Sequence, residues 1–225
     1  MNREAYKVIE AHMLSHMTDA AHDKEHVYRV LYTALDIAGT EPQADRDILA
    51  AACLLHDIGR EAQFQNPALC HAEEGSKMAY AFLLELGWEE TRAAHVRDCV
   101  LTHRFRTDRR PATIEAKILF DADKLDVTGA IGVARTLMYG GEIGQALYHL
   151  DEAGAILTAP DSAPSFFREY NYKLRTTADT LHTPRAKELA RGRRAAMDAF
   201  SDALLAEVSS CYDRGKPYLE QLYLN

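Results

Sequence analysis

ILAAACLLHDIG, residues 48–59, is the stretch from which the rest of the chain can be read. An unbroken apolar run with helical character delivers an adjacent imidazole and carboxylate, His56 and Asp57, to its far end. Setting ionisable groups against a core costs about several kcal/mol unless a charge or a hydrogen-bond partner compensates. A divalent cation is one such partner. Taken alone, the pair is equally a helix-terminal histidine beside a capping aspartate.

Working outward, apolar residues recur at three- and four-residue steps, and alternating, strand-like stretches are scarce. This pattern predicts an all-α protein. Upstream, a first helix is expected over about residues 3–17. Asp23 caps a second, whose buried stripe is Val27, Val30, Leu31, Ala34, Leu35 and Ala38, closed by Gly39. The apolar run itself starts near Asp45. Downstream, helices are expected from His71 to Leu86, closed by Gly87, and from Glu89 to His103. Another, capped by Thr113, carries Ile114, Ile118, Ala122 and Leu125. Gly129, Gly132, Gly140, Gly141 and Gly144 predict short helices and turns over about 129–160. Two late helices follow, over about 165–181 and 184–209, the second opening on Thr183 and Pro184. The expected organisation is a single helical domain, 1–225, with a site-bearing core over about 20–130 and a helical C-terminal extension over about 130–225.

Two further segments carry chemistry. In HDKEHVYRV, residues 22–30, His26 lies one turn into its helix beside Val27 and Val30. In DADKLDVTGAIGVAR, residues 121–135, Asp121, Asp123 and Asp126 follow an apolar stretch. A solvated acidic face paired with Lys124 accounts for Asp121 better than for Asp123. Combined, the three segments bring two imidazoles and two carboxylates from separate helices. That donor set suits Mn²⁺, Fe²⁺, Co²⁺ or Zn²⁺ better than Mg²⁺.

These motifs resemble the HD superfamily of metal-dependent phosphohydrolases, in particular the small bacterial HD hydrolases. TPRAKELARGRRAAMDAF, residues 183–200, extends the resemblance over nearly the whole chain. The resemblance implies an HD-domain helical fold with additional C-terminal helices. It also implies metal ligands at His26, His56, Asp57 and Asp123. Where many relatives place an acidic residue and then a lysine after the His-Asp pair, this chain reads HDIGREAQFQ, with Arg60 as the candidate basic group. His71 and His103 lie in the interval where two-metal HD proteins carry further histidines. They are candidates for a second metal or for contact with substrate phosphate. One divalent ion is expected, with two as the alternative.

The expected function is hydrolysis of a phosphate ester or anhydride of a small molecule, a nucleotide being the leading class, by metal-activated water. Asp57 would orient the water or accept its proton, and Lys124 would stabilise phosphoryl charge. Arg104, Arg106, Arg109 and Arg110 form a basic run that could clamp phosphate, and His22 and Asp23 are candidates for substrate contact or support of the ligands. The alternatives are a di-iron oxygenase of the HD type and a catalytically silent nucleotide-binding module.

The formal charge of −8 opposes binding to nucleic-acid polymers. Cys53, Cys70, Cys99 and Cys211 form no C-x-x-C pair, and no apolar run is long enough for a bilayer. A cytoplasmic protein without a membrane partner is expected, as a monomer or a homodimer.

Overall fold

The eight residues from Ile48 to Leu55 are all buried, so their helix has no solvated face and must be surrounded. The computed structural model, which describes residues 1–17, 24–104, 109–152 and 154–224, supplies that surround with other helices. In chain order these are α1 (Arg3–Ser15), α2 (Lys24–Ala38), α3 (Arg46–Leu55), α4 (Arg60–Gln65), α5 (His71–Glu85), α6 (Glu90–Thr102) and α7 (Ile114–Leu125). The order continues with α8 (Gly129–Glu142), α9 (Phe166–Glu169) and α10 (Pro184–Leu219). Among the described residues there is no strand, only two isolated bridges, Ala146 with Ser165 and Leu150 with Ile156. The protein is all-α. No helix of the described residues is long and apolar enough to cross a membrane.

The chain divides into two compact units, Met1–Asp126 with Leu181–Glu188, and Val127–Thr180 with Leu189–Asn225. In the first, α3 packs against α1, α2, α6 and α7, while α5 packs against α6. The helix ends follow local chemistry. Asp45 accepts hydrogen bonds from the Asp47 and Ile48 amides at the start of α3, and Thr113 accepts one from Ala116 at the start of α7. Thr183 Oγ1 accepts from the Ala186 amide, as a cap before Pro184 should. The second unit has its own core of Val133, Phe166, Phe167, Tyr170, Leu174 and Met197.

Several expectations need correction. On α2, Leu35 is exposed, and Ile37 takes a place in the buried stripe instead. Tyr32, on the same helix, is 61% exposed. Residues 129–142 form one helix rather than several short ones. Gly132 is the reason the chain can turn directly from α7 into α8: a Cβ there would lie 2.3 Å from the Val127 carbonyl. The helix expected over about 165–181 is only α9, followed by a π turn, Tyr170–Leu174, and a 3₁₀ turn, Thr177–Thr180. The last helix runs on to Leu219, and α4 was not anticipated. The cap expected at Asp23 falls outside the described residues.

Asp121 is the most informative correction. It is fully buried rather than solvated. Its carboxylate accepts from the His182 and Thr183 amides at 2.8 and 2.7 Å and from Thr183 Oγ1 at 2.7 Å. Asp121 thereby ties α7 to the N-terminal end of α10.

The Asp45 cap is also paired with Arg92, at 2.7 Å. Burial works to raise its pKa, but the Arg92 hydrogen bonds and the two capped amides outweigh it, so the folded-state pKa is lowered. Its contribution to stability is therefore full above the ordinary carboxylate range and is lost as pH falls through it. Asp45→Ala should cost about 1 kcal/mol near neutral pH. In urea titrations the gap between the two proteins should narrow below pH ~4.

Candidate metal centre

Five helix ends or turns bring six side chains together. His26 comes from the first turn of α2, and His56 and Asp57 from the turn that ends α3. His71 opens α5, His103 closes α6, and Asp123 lies in the last turn of α7. The four histidines and Asp57 are between 0 and 2% exposed, too deep for water to satisfy them.

The imidazole tautomers follow from their partners. His26 Nδ1 lies 2.7 Å from Asp126 Oδ2, His56 Nδ1 2.7 Å from the Cys53 carbonyl, His71 Nδ1 2.6 Å from Gln63 Oε1, and His103 Nδ1 2.6 Å from the Val100 carbonyl. Each of these partners is an oxygen that can only accept, so each Nδ1 carries the proton and donates it. All four Nε2 atoms are left with a lone pair.

Those lone pairs face inward in two couples. His26 Nε2 and His56 Nε2 are 3.4 Å apart, and His71 Nε2 and His103 Nε2 are 3.3 Å apart. With no proton between them, neither contact is a hydrogen bond. Asp57 stands between the couples. Its Oδ2 is 3.6 Å from both His26 Nε2 and His56 Nε2, and its Oδ1 is 3.5 Å from His71 Nε2 and 3.6 Å from His103 Nε2. Asp123 Oδ1 completes the first couple, 3.6 Å from His26 Nε2.

Neither oxygen of Asp57 accepts a hydrogen bond. Arg60 Nε approaches Oδ1 to 3.0 Å, yet its N–H points away from hydrogen-bond geometry. A buried carboxylate left this way costs more than about 1–3 kcal/mol. Cations suit such a group. A metal–nitrogen distance of about 2.0–2.1 Å sets two tetrahedral ligand atoms about 3.3–3.4 Å apart, the spacing of both couples. His26, His56 and Asp123 could hold one ion, and Asp57, His71 and His103 a second, the donor atoms of each group lying within 4.8 Å of one another. Nitrogen and oxygen donors in this mixture suit first-row divalent metals better than Mg²⁺.

The electrostatics agree with that fit. Burial pushes the His56 imidazole down to about 4 and, with the Arg60 charge, the His71 imidazole down to about 2, so both remain neutral donors. Burial would raise Asp57, but Arg60 and then His56 hold its carboxyl well below the ordinary range. Asp123 is likewise held down against its burial, chiefly by Lys124, whose Nζ donates to Oδ2 at 2.7 Å. Close packing fixes the spacing. A Cβ on Gly59 would lie 2.2 Å from the His71 carbonyl and 2.5 Å from the Gly75 amide, so only glycine lets the His-Asp turn reach α5.

Of the other candidates from the sequence, Arg60 and Lys124 contact the carboxylates just described. Arg104 lies beside the second couple, its Nη1 3.7 Å from Cys70 Sγ. Arg109 pairs with Glu73 at 2.5 Å, and Arg110 is exposed. His22, Asp23 and Arg106 lie outside the described residues. Sequence reasoning missed three supporting side chains. Asp126 orients His26 and is held in turn by Arg29, through Nε to Oδ1 at 2.7 Å and Nη2 to Oδ2 at 3.0 Å. Gln63 orients His71. The spacing of His26 and Arg29, three apart on one helix face, was the available signal for the first pair. Gln63 sits in the unanticipated α4.

Residues 24–128, which hold all six donors, match the HD domain family model. The uncharacterised protein YpgQ of Bacillus subtilis is 31% identical over 178 residues, 77% of this chain and 78% of its own length. This chain belongs to the HD superfamily. Solved HD relatives share the fold along almost their full length. The crystal structure of Bacillus subtilis YpgQ in complex with ADP matches with a TM-score of 0.71 and 28% identity, covering 90% of this chain and 97% of that one. An HD-superfamily hydrolase from Bacillus thuringiensis matches with a TM-score of 0.69 and 29% identity, covering 91% and 97%.

If Asp126 orients His26 as a metal donor, Asp126→Asn should weaken one bound ion about 10–100-fold, the usual effect of removing such a support. Gln63→Ala should weaken the other. Calorimetric titration of metal-free protein with Mn²⁺ in the presence of inorganic phosphate separates the two; equal loss at both ions in either variant would contradict the pairing.

Proposed function

We propose that this HD protein is a metal-dependent phosphohydrolase that cleaves a phosphate ester or anhydride of a small molecule, with nucleotides as the leading class. The observation that carries the reading is Asp57, a buried carboxylate with no hydrogen bond, set among four inward-facing Nε2 lone pairs. Divalent metals held there supply a Lewis acid for a phosphoryl oxygen and lower the pKa of a coordinated water. His26, His56, Asp57 and Asp123 would hold one ion; His71 and His103, with Asp57 shared between the two, would hold the other.

The remaining side chains bind and orient. Arg60 and Arg104 stand beside the His71–His103 couple, and guanidinium groups engage phosphate through paired N–H donors. Lys124 holds Asp123 ionised at the His26–His56 end of the centre, where it can offset charge that develops on phosphoryl oxygens. Asp57, kept as a carboxylate by Arg60 and His56, would orient an attacking water. The nucleotide class is supported by the YpgQ relative, whose crystal structure is a complex with ADP. A cytoplasmic enzyme is the accompanying reading.

A six-donor set would also serve a di-iron oxygenase. Three cations (Arg60, Arg104 and Lys124) next to the donors favour an anionic substrate, and hence phosphate hydrolysis.

The test is elemental analysis together with a panel of nucleotides and phosphoesters under Mn²⁺, Co²⁺, Fe²⁺, Zn²⁺ and Mg²⁺. Bound metal and metal-dependent release of phosphate or pyrophosphate are expected. Asp57→Ala should lose bound metal and lower turnover by at least about 10³-fold, the scale of losing a principal electrostatic contributor. An Asp57→Ala protein that keeps both its metal and its turnover contradicts the reading, and two irons with oxygen uptake and no hydrolysis would replace it with the oxygenase.

A further inference from the structure

We propose that the two halves of the centre fill in order, the His71–His103 half taking its cation together with a phosphate group only after the His26–His56–Asp123 half is occupied. The proposal rests on reading the centre as a metal site, and it follows from a difference in charge between the halves.

The first half has a carboxylate of its own, Asp123, together with Oδ2 of Asp57, and a third carboxylate, Asp126, behind His26. Lys124 and Arg29 accompany these three. This half thus has a carboxylate donor of its own beside the shared Asp57, and a divalent ion is attracted before any substrate arrives.

Among the described residues, the second half has no carboxylate of its own. Its single anionic donor is Oδ1 of Asp57, which already has Arg60 Nε at 3.0 Å. The groups behind its histidines are neutral: the Gln63 amide oxygen and the Val100 carbonyl. Arg60 and Arg104 both act on His71 electrostatically, and His71 is the first residue of α5, where the helix dipole adds positive potential. The acidic residues of that first turn do not offset this, since Glu73 pairs with Arg109 at 2.5 Å and Glu74 with Lys77 at 2.7 Å.

A bare divalent cation entering this half therefore meets one shared carboxylate and two guanidinium groups. A phosphate reverses the balance, because its oxygens can take both guanidinium groups and still ligate a cation. Cation and phosphate then favour each other's binding, and linkage makes the effect reciprocal. The second half is a phosphate-binding pocket that becomes a metal site when phosphate is present.

The experiment is a Mn²⁺ titration of the full, metal-stripped chain, following free Mn²⁺ by electron paramagnetic resonance. It is run with and without inorganic phosphate, against protein-free blanks at each phosphate concentration. Without phosphate, one Mn²⁺ per chain should bind tightly. With phosphate, a second should bind at least about tenfold more tightly than without it, within the range usual for coupled sites. Phosphate affinity should rise by the same factor when Mn²⁺ is in excess. His71→Ala should remove only the second ion. Arg60→Gln, at a partly exposed position that should tolerate the change, should let the second Mn²⁺ bind more tightly without phosphate and shrink the coupling. Two equivalent ions without phosphate, a second ion indifferent to phosphate, or unchanged coupling in Arg60→Gln would each overturn the proposal. A folded protein that binds no Mn²⁺ under either condition would instead overturn the reading of the centre as a metal site.

Discussion

The Asp57 carboxylate has no proton donor in reach with hydrogen-bond geometry, and it is surrounded by four imidazoles whose protons all point outward. Much of the first unit can be understood as the scaffold that this arrangement requires. Isolated, such a group would take up a proton or draw in water. Here Arg60 and His56 keep it ionised, and the enclosing helices leave no exposed surface on it. The arrangement is over-determined from outside. Two of the imidazoles are fixed by main-chain carbonyls of their own helices, Cys53 and Val100, three residues back in each case. The other two are fixed by side chains from elsewhere in the sequence, Asp126 and Gln63. Orienting donors from behind in this way is how proteins hold a constellation to the tolerance that metal chemistry needs.

The fold was legible where the physics is local. The apolar run Ile48–Leu55 could only be an interior helix, and Asp45, Thr113 and Thr183 act as the caps their residue types suggest. Legibility failed where a long-range contact decided the outcome. Asp121 reads as a surface acid because nothing near it in sequence could satisfy it. Its partners are the amides of His182 and Thr183, some sixty residues on. The glycines after Val127 read as helix breakers for a different, local reason: at Gly132 the Val127 carbonyl comes too close for any Cβ.

The site shows the same division. His26, His56, Asp57 and Asp123 were visible as a motif, and they come together in the first unit. His71 and His103 were ambiguous, since a histidine at either end of a helix has an adequate explanation in dipole and solvent terms. What supports a place for both in one site is their burial, with their Nε2 atoms 3.3 Å apart. Gln63 could not be assigned from spacing, because an orienting side chain need only reach the back of a ring, and many positions satisfy that.

Chemical identity here depends less on which donors are present than on what stands behind them. Both couples present two Nε2 atoms at nearly the same separation, and both use one oxygen of the same carboxylate. They differ in what surrounds them: an Asp126–Arg29 pair and Asp123 on one side, neutral acceptors with Arg60 and Arg104 on the other. Donor geometry alone would predict two equivalent ions, whereas the charges make one half attractive to a bare cation and the other to an anion. A chain could keep every histidine and aspartate of the motif, exchange only Arg60, Gln63 or Asp126, and so acquire a different preference for what it binds. Among HD proteins with the same ligands, the residues to compare for substrate choice are therefore those one contact further out.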